Sequence, residues 1–278
     1  MALFITSLNS GSNGNCYYIA NDTEAVLVDA GLSCRETERR MQILGLCMSK
    51  VKAVFISHEH TDHIKGIESI AEKFSLPVFL TAATVQRGRL HFKKELINYF
   101  AAYEEVSIGN LIVTAFPKLH DAADPHSFII TGNGITVGVF TDIGTNCEHV
   151  TKHFCQCHAA FLEANYDDEM LEQGRYPIFL KNRIRGGEGH LSNKQALEIF
   201  NNHRPKFMTH LLLAHLSKDN NDPHKVHQLF AEKAGSIKVV IASRYEQTAL
   251  YTIQSATTYR VTKSNKKTLV STMQLSLF

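Results

Sequence analysis

Residues 57–63 read SHEHTDH, three histidines and an aspartate within seven positions, directly after the apolar run VKAVFI. Imidazole nitrogens and carboxylate oxygens are the donors that divalent transition metals take. In an HxH pair, His58 and His60 can point the same way and share one ion, which leaves Asp62 and His63 free to turn toward a second. A solvated polar loop, or a helix cap built on Asp62, would need one such residue rather than four. Four donors do not saturate two ions that each take about four to six, so more are expected downstream. Three stand at the ends of apolar runs: His120 closes LIVTAFPKLH, Asp142 closes ITVGVFTD and His215 closes FMTHLLLAH.

Donors spread this widely need rigid supports, and short apolar runs alternating with helical patterns supply them. LFITSL, CYYIA and EAVLVDA read as early strands, the first two joined by the turn-forming NSGSNGN. Ser33 is an N-cap for a helix over RETERRMQILG that ends at Gly45. VKAVFIS is a buried strand, and IKGIESIAEKF predicts a helix with Ile64, Ile67, Ile70, Ala71 and Phe74 on one face. The donor loop therefore runs from a strand end to a helix start, where a rigid scaffold hands over to a functional segment.

With 278 residues, 44% of them hydrophobic and 20% charged, the chain is long enough for one large domain or two tightly joined lobes. A formal charge of +2 excludes a bulk polycation, so any nucleic-acid contact needs a local basic patch. No signal-like segment or membrane-length apolar run is present, and a cytoplasmic location without membrane partners is the default expectation. The six cysteines form no regular framework, so they are expected to be reduced. Cys155 and Cys157 lack the second pair that a structural zinc would need.

Adding Asp29 at the end of EAVLVD gives the ordered set Asp, HxHxDH, His, Asp and His, which resembles the metallo-β-lactamase superfamily. The resemblance covers nearly the whole chain and implies an α/β fold, a four-layer αββα sandwich. Residues 1–253 would form the catalytic domain and 254–278 a C-terminal tail. SLNSGSNGNCYYI, VDAGLSCRE, SHEHTDHIKG, HDAADPHSF, LEANYDDEML, GHLSN and LAHLSKDNN look, as a group, like the bacterial YycJ/WalJ-type branch, whose described activity is exonucleolytic attack on DNA. Tyr166, after LEAN, departs from the histidine that this branch often carries there, and no role is assigned to it.

The resemblance further implies two divalent ions, zinc, manganese or iron. His58, His60 and His120 would hold one, Asp62, His63 and His215 the other, and Asp142 would bridge them. Such a pair implies hydrolysis by an activated shared water, and Asp62 then counts as a catalytic group as well as a ligand. Asp29 would orient a ligand histidine through its other ring nitrogen; a plain turn carboxylate is the alternative.

These ligands do not select a substrate, so the neighbouring residues matter. His190 precedes Ser192, an N-cap with Gln195 at the capping-box position. It resembles the accessory histidine of superfamily phosphodiesterases, placed to protonate a leaving alkoxide or grip a phosphate oxygen. Just upstream, Lys181, Arg183 and Arg185 are cations suited to phosphate contacts. SGSNGN could present amides to a phosphate, although a hairpin turn explains it more cheaply. Between Asp142 and His215 there is room neither for the large inserted domain of β-CASP ribonucleases nor for the long arm of tRNA 3′-processing enzymes.

At the C-terminus, Gln274, Leu275, Leu277 and Phe278 of QLSLF resemble the peptide by which bacterial DNA enzymes dock on the sliding clamp, a contact that deletion of these residues would remove. The sequence therefore points to a two-metal DNA phosphodiesterase acting from a 5′ end. The other readings are a small-molecule phosphodiesterase or thioester hydrolase, or a non-catalytic clamp-recruitment module.

Overall fold

The computed structural model describes residues 2–255; the QLSLF peptide lies outside them. The first part of the chain forms β1 (Ala2–Asn9), β2 (Cys16–Ala20), β3 (Ala25–Val28), α1 (Cys34–Ile43), β4 (Val51–Phe55), α2 (Thr61–Ile64), α3 (Ile67–Phe74), β5 (Val78–Leu80), α4 (Ala82–Gly88) and β6 (Ile97–Tyr99). Next come β7 (Glu105–Ile108), β8 (Leu111–Pro117), β9 (His126–Gly132), β10 (Ile135–Phe140), α5 (Glu148–Phe154) and β11 (Ala159–Glu163). The last part adds α6 (Asp168–Gln173), α7 (Ile178–Ile184), α8 (Asn193–His203), β12 (His210–Ala214), α9 (Pro223–Ala234), β13 (Lys238–Ile241) and β14 (Tyr251–Gln254).

The strands pair into two seven-stranded mixed sheets, ordered β14-β1-β2-β3-β4-β5-β6 and β13-β12-β11-β10-β9-β8-β7. Strand runs such as AVLV and, after His210, LLLA are apolar throughout because both of their faces are covered. Period-two alternation divides their side chains. Val26, Val28, Leu212 and Ala214 meet between the sheets, with Phe55, Phe128 and Phe161. Ala25 and Leu27 face outward against Met41 of α1 and Ile67 and Ile70 of α3. Leu211 and Leu213 face outward against Phe200 of α8 and Phe230 of α9. Three apolar layers separate helix, sheet, sheet and helix, which is the expected αββα sandwich.

Local signals account for most boundaries. Ser33 caps α1 by accepting from the Glu36 N–H, and Gly45 takes φ +68 just beyond the helix. Ser192 and Gln195 form the anticipated capping box on α8. One expectation needs correction: IKGIESIAEKF is not a single helix but is broken at Gly66, between α2 and α3. There the chain presses on the preceding loop. The Gly66 N–H donates to the Ala30 carbonyl at 2.7 Å, and a β-carbon on Gly66 would fall 1.8 Å from the Leu32 carbonyl oxygen. Close backbone approach overrides the apolar periodicity at that point.

Candidate metal centre

The expected donors converge at one end of the two sheets, because six strands stop there: Asp29 follows β3, His58 follows β4, His120 follows β8, Asp142 follows β10, Glu163 ends β11 and His215 follows β12. Asp29, Asp142 and His215 take φ values of 60, 55 and 54. Left-handed backbone is costly for residues other than glycine, and its concentration at three strand-terminal donors marks the turns that aim these side chains. His60 is the N-cap of α2, whose single turn carries Asp62 and His63.

Among the described residues the donors form four overlapping groups: the two expected triads, a set of His58, His63 and Asp142 that links them, and one of Asp142, Glu163, His190 and His215. His58, His60 and His120 place one ring nitrogen each within 4.8 Å of the others, and a carboxylate oxygen of Asp62 lies as close to one ring nitrogen each of His63 and His215. His58 Nε2 stands 3.0 Å from His60 Nδ1, which stands 3.3 Å from His120 Nε2. Nitrogens sharing one tetrahedral ion at about 2.0 Å lie about 3.3 Å apart, so this spacing suits a shared ion. Asp142 reaches both groups: Oδ1 lies 3.0 Å from His215 Nδ1 and 3.8 Å from His120 Nε2, while Oδ2 lies 3.1 Å from His63 Nε2. Asp142 Oδ2 and His215 Nε2 are buried and have no hydrogen-bond partner among the described residues, as donor atoms kept for a cation would be.

Supporting contacts set which ring nitrogen is available. His63 Nδ1 donates to Asp29 Oδ2 at 2.7 Å, and Asp29 also accepts from the Ser57 N–H and hydroxyl, so Asp29 orients His63 and frees its Nε2. His120 Nδ1 donates to the Gly189 carbonyl at 3.0 Å, which leaves its Nε2 lone pair for the centre. The β1–β2 loop and the β3–α1 turn are both pressed onto α2: the Asn15 N–H donates to the Asp62 carbonyl, and a β-carbon on Gly31 would meet that same oxygen at 1.7 Å.

The charge balance also suits cations. Asp29, Asp142 and Glu163 are fully buried beside the partly buried Asp62. Burial disfavours a charged Asp142, yet His215 and His63 hold its carboxyl well below the ordinary range. Burial likewise opposes a charged His63, but Asp142, Asp29 and Asp62 outweigh it and raise its pKa far above the usual value; His215 is raised in the same way, chiefly by Asp142. The pocket thus demands positive charge, which divalent ions would supply. In contrast, burial holds His58 well below its ordinary value and pushes His120 down to about 4, so both stay neutral donors.

Two contributors were missed in the sequence. Glu163 Oε1 accepts from His190 Nδ1 at 2.8 Å and lies 3.2 Å from His215 Nδ1, while Oε2 accepts from the Ile143 and Leu191 N–H groups. Although burial opposes its ionisation, His190 and His215 bring its pKa down to about 2. Its signal was position, a carboxylate ending an apolar strand run like Asp29. Asn15 Nδ2 donates to Asp62 Oδ2 at 3.1 Å and reaches His63 Nε2 at the same distance, so SGSNGN is built into the centre rather than serving only as a turn.

A cleft of about 430 Å³ opens on the centre and is lined by His60, Asp62, His120, Asp142, His190 and His215. Of the three anticipated cations only Arg183 lines it, and Arg183 Nε donates to Asp121 Oδ2 at 2.6 Å. Lys181 is turned away and buried, its ammonium donating to the Glu172 carbonyl, and Arg185 pairs with Glu172 at 3.0 Å. Helical periodicity explains the split. Leu180, Arg183 and Ile184 face the cleft at i, i+3 and i+4, whereas Lys181 and Arg185 share another face.

Residues 24–215 match the model of the beta-lactamase superfamily domain. The chain belongs to the metallo-β-lactamase superfamily. It is 34% identical to "Exodeoxyribonuclease YycJ" of Bacillus anthracis over 226 residues, covering 80% of this chain and 85% of that protein. It is 29% identical to "Exodeoxyribonuclease WalJ" of Streptococcus pneumoniae, covering 79% and 84%. The crystal structure of the metallo-β-lactamase-fold protein YhfI from Bacillus subtilis superposes with a TM-score of 0.67 at 18% identity, covering 91% of this chain and all of that one, a likeness of fold. Membership and donor set together make this superfamily member a metal-dependent hydrolase. Among the described residues, no helix is long and apolar enough to cross a membrane.

Proposed function

We propose that the chain is a two-metal phosphodiesterase that degrades DNA from a 5′ end, in repair or replication. The observation that carries this reading is the pair of donor groups joined through Asp142, in a chain 34% identical over most of its length to a protein named for DNA exonuclease activity. His58, His60 and His120 would hold one ion, Asp62, His63 and His215 the other, and Asp142 both. Ions bound there would supply an acidified water as nucleophile and neutralise a non-bridging phosphate oxygen.

The chain's own groups do the rest. Asp29 and Asn15 fix His63 and Asp62, so the donors are in place before substrate arrives. His190 lines the cleft with Nδ1 committed to Glu163, which leaves Nε2 to deliver a proton to the departing sugar oxygen. Arg183 stands at the cleft to meet a phosphate, with Asp121 steering its guanidinium. The sliding-clamp contact through Gln274, Leu275, Leu277 and Phe278 is part of the same proposal and is supported by the sequence resemblance alone.

Competing substrates test the reading. Metal-loaded protein should release nucleotides from end-labelled DNA with a kcat/KM at least about a hundredfold above that for a cyclic phosphate or a thioester, a margin set by remote binding energy spent on the larger substrate. Efficient thioester or cyclic phosphate turnover with DNA left intact would replace it with the small-molecule reading. A protein inert on all three yet bound to the clamp would be the recruitment module.

A further inference from the structure

Beside the catalytic cleft lies a second cavity of about 200 Å³ with a different chemistry. Its floor is apolar, made by Leu216, Pro223, Ile241 and Ala242, and its rim carries Lys218, Arg244 and Tyr245. Ser217 lines both cavities, so the two adjoin. The dividing ridge is tied to the metal centre, because Ser10 Oγ accepts from the His215 N–H at 2.7 Å and the Ser10 N–H donates to the Ser243 carbonyl at 3.1 Å.

Tyr245 is 70% exposed, and its backbone is firmly held. The buried Arg40 guanidinium donates to the Tyr245 carbonyl at 2.9 Å, to the Leu8 carbonyl at 2.7 Å and to Asn9 Oδ1 at 2.8 Å. Asn13 Nδ2 donates to the Arg244 carbonyl at 2.8 Å, and the Tyr245 N–H donates to Ser243 Oγ at 3.0 Å. An exposed ring on a pinned backbone is a platform for stacking, with little ordering left to do on binding. The Arg244 guanidinium stands 6.0 Å from the ring centroid, and neither Arg244 nor Lys218 is in an ion pair among the described residues. Aromatic face, apolar floor and two cations together match a nucleotide, whose base stacks and whose phosphate is anionic.

We propose that this cavity is a nucleobase subsite, in which the base of the nucleotide adjoining the reacting phosphate stacks on Tyr245 while Arg244 and Lys218 meet its phosphate. The subsite rests on the DNA reading of the neighbouring centre and deepens it. Stacking requires the ring and not its hydroxyl, which separates it from a hydrogen-bonding role.

Steady-state kinetics on an oligonucleotide and on bis(4-nitrophenyl) phosphate, which offers no nucleobase, tests the proposal. Tyr245→Ala should raise the oligonucleotide KM roughly tenfold and lower the oligonucleotide-to-diester ratio of kcat/KM to match, as loss of one base–aromatic stack implies. Tyr245→Phe should keep the wild-type ratio, and Arg244→Gln should raise the oligonucleotide KM while flattening its salt dependence. An unchanged oligonucleotide KM in Tyr245→Ala and Arg244→Gln overturns the subsite, as does an equal loss on both substrates. Wild-type protein that turns over the diester but leaves DNA intact removes the DNA reading, and the subsite with it. Wild-type protein that degrades DNA while the variants keep its KM removes the subsite alone.

Discussion

Asp142→Asn is expected to cost the protein at least one of the two proposed ions and to lower kcat/KM on DNA on the order of a thousandfold, the loss of several kcal/mol of charge stabilisation. Asp142 reaches both donor groups, with Oδ1 toward His215 and His120 and Oδ2 toward His63. Asparagine suits the test because residue 142 sits at φ 55, a conformation asparagine tolerates better than alanine, so the backbone turn should survive. The change also removes the charge that most strongly raises the pKa of His63 and His215, which should weaken the pull on cations in the second group. Elemental analysis of the purified variant, with an unfolding midpoint as control, reads the outcome. Two retained ions and a wild-type rate would deny Asp142 its bridging role.

The second large effect concerns proton delivery. His190→Ala should lower kcat on DNA roughly a hundred- to a thousandfold, within the usual range for a general acid. The loss on bis(4-nitrophenyl) phosphate should be slight, because nitrophenolate departs without needing a proton. Glu163→Gln should follow the same pattern, since Glu163 accepts from His190 Nδ1 at 2.8 Å and so turns Nε2 toward the cleft. Glu163 is a positioning residue here, holding both His190 and the proposed ligand His215. This leaving-group contrast is a readout that a merely structural role would not produce. Equal losses on both substrates would assign Glu163 and His190 to scaffolding of the centre.

The part of this site legible in the sequence was the part written as spacing. SHEHTDH and the donors that close apolar runs could be read because strand ends in a layered sandwich converge, so order along the chain becomes proximity in space. Glu163 was not singled out because a lone carboxylate after a strand has many ordinary explanations, and its importance comes from His190 and His215, 27 and 52 residues away. Asn15 was hidden in a segment whose glycines fit a hairpin turn equally well.

Lys181 and Arg185 show the opposite error. Closeness in sequence groups them with Arg183, whereas the 3.6-residue period of α7 sends them to another face. At Gly66 the fold departed from pattern for a local reason, the contact of two backbones, which no hydrophobic periodicity records.

Titrating chelated protein with a divalent metal while following nucleotide release from 5′-labelled duplex DNA tests the central claim most directly. With two ions joined through Asp142, activity should stay near zero through much of the first equivalent and reach its plateau at the second. Full activity at one equivalent, or DNA hydrolysis that survives chelation, would contradict a two-metal centre as the source of the chemistry.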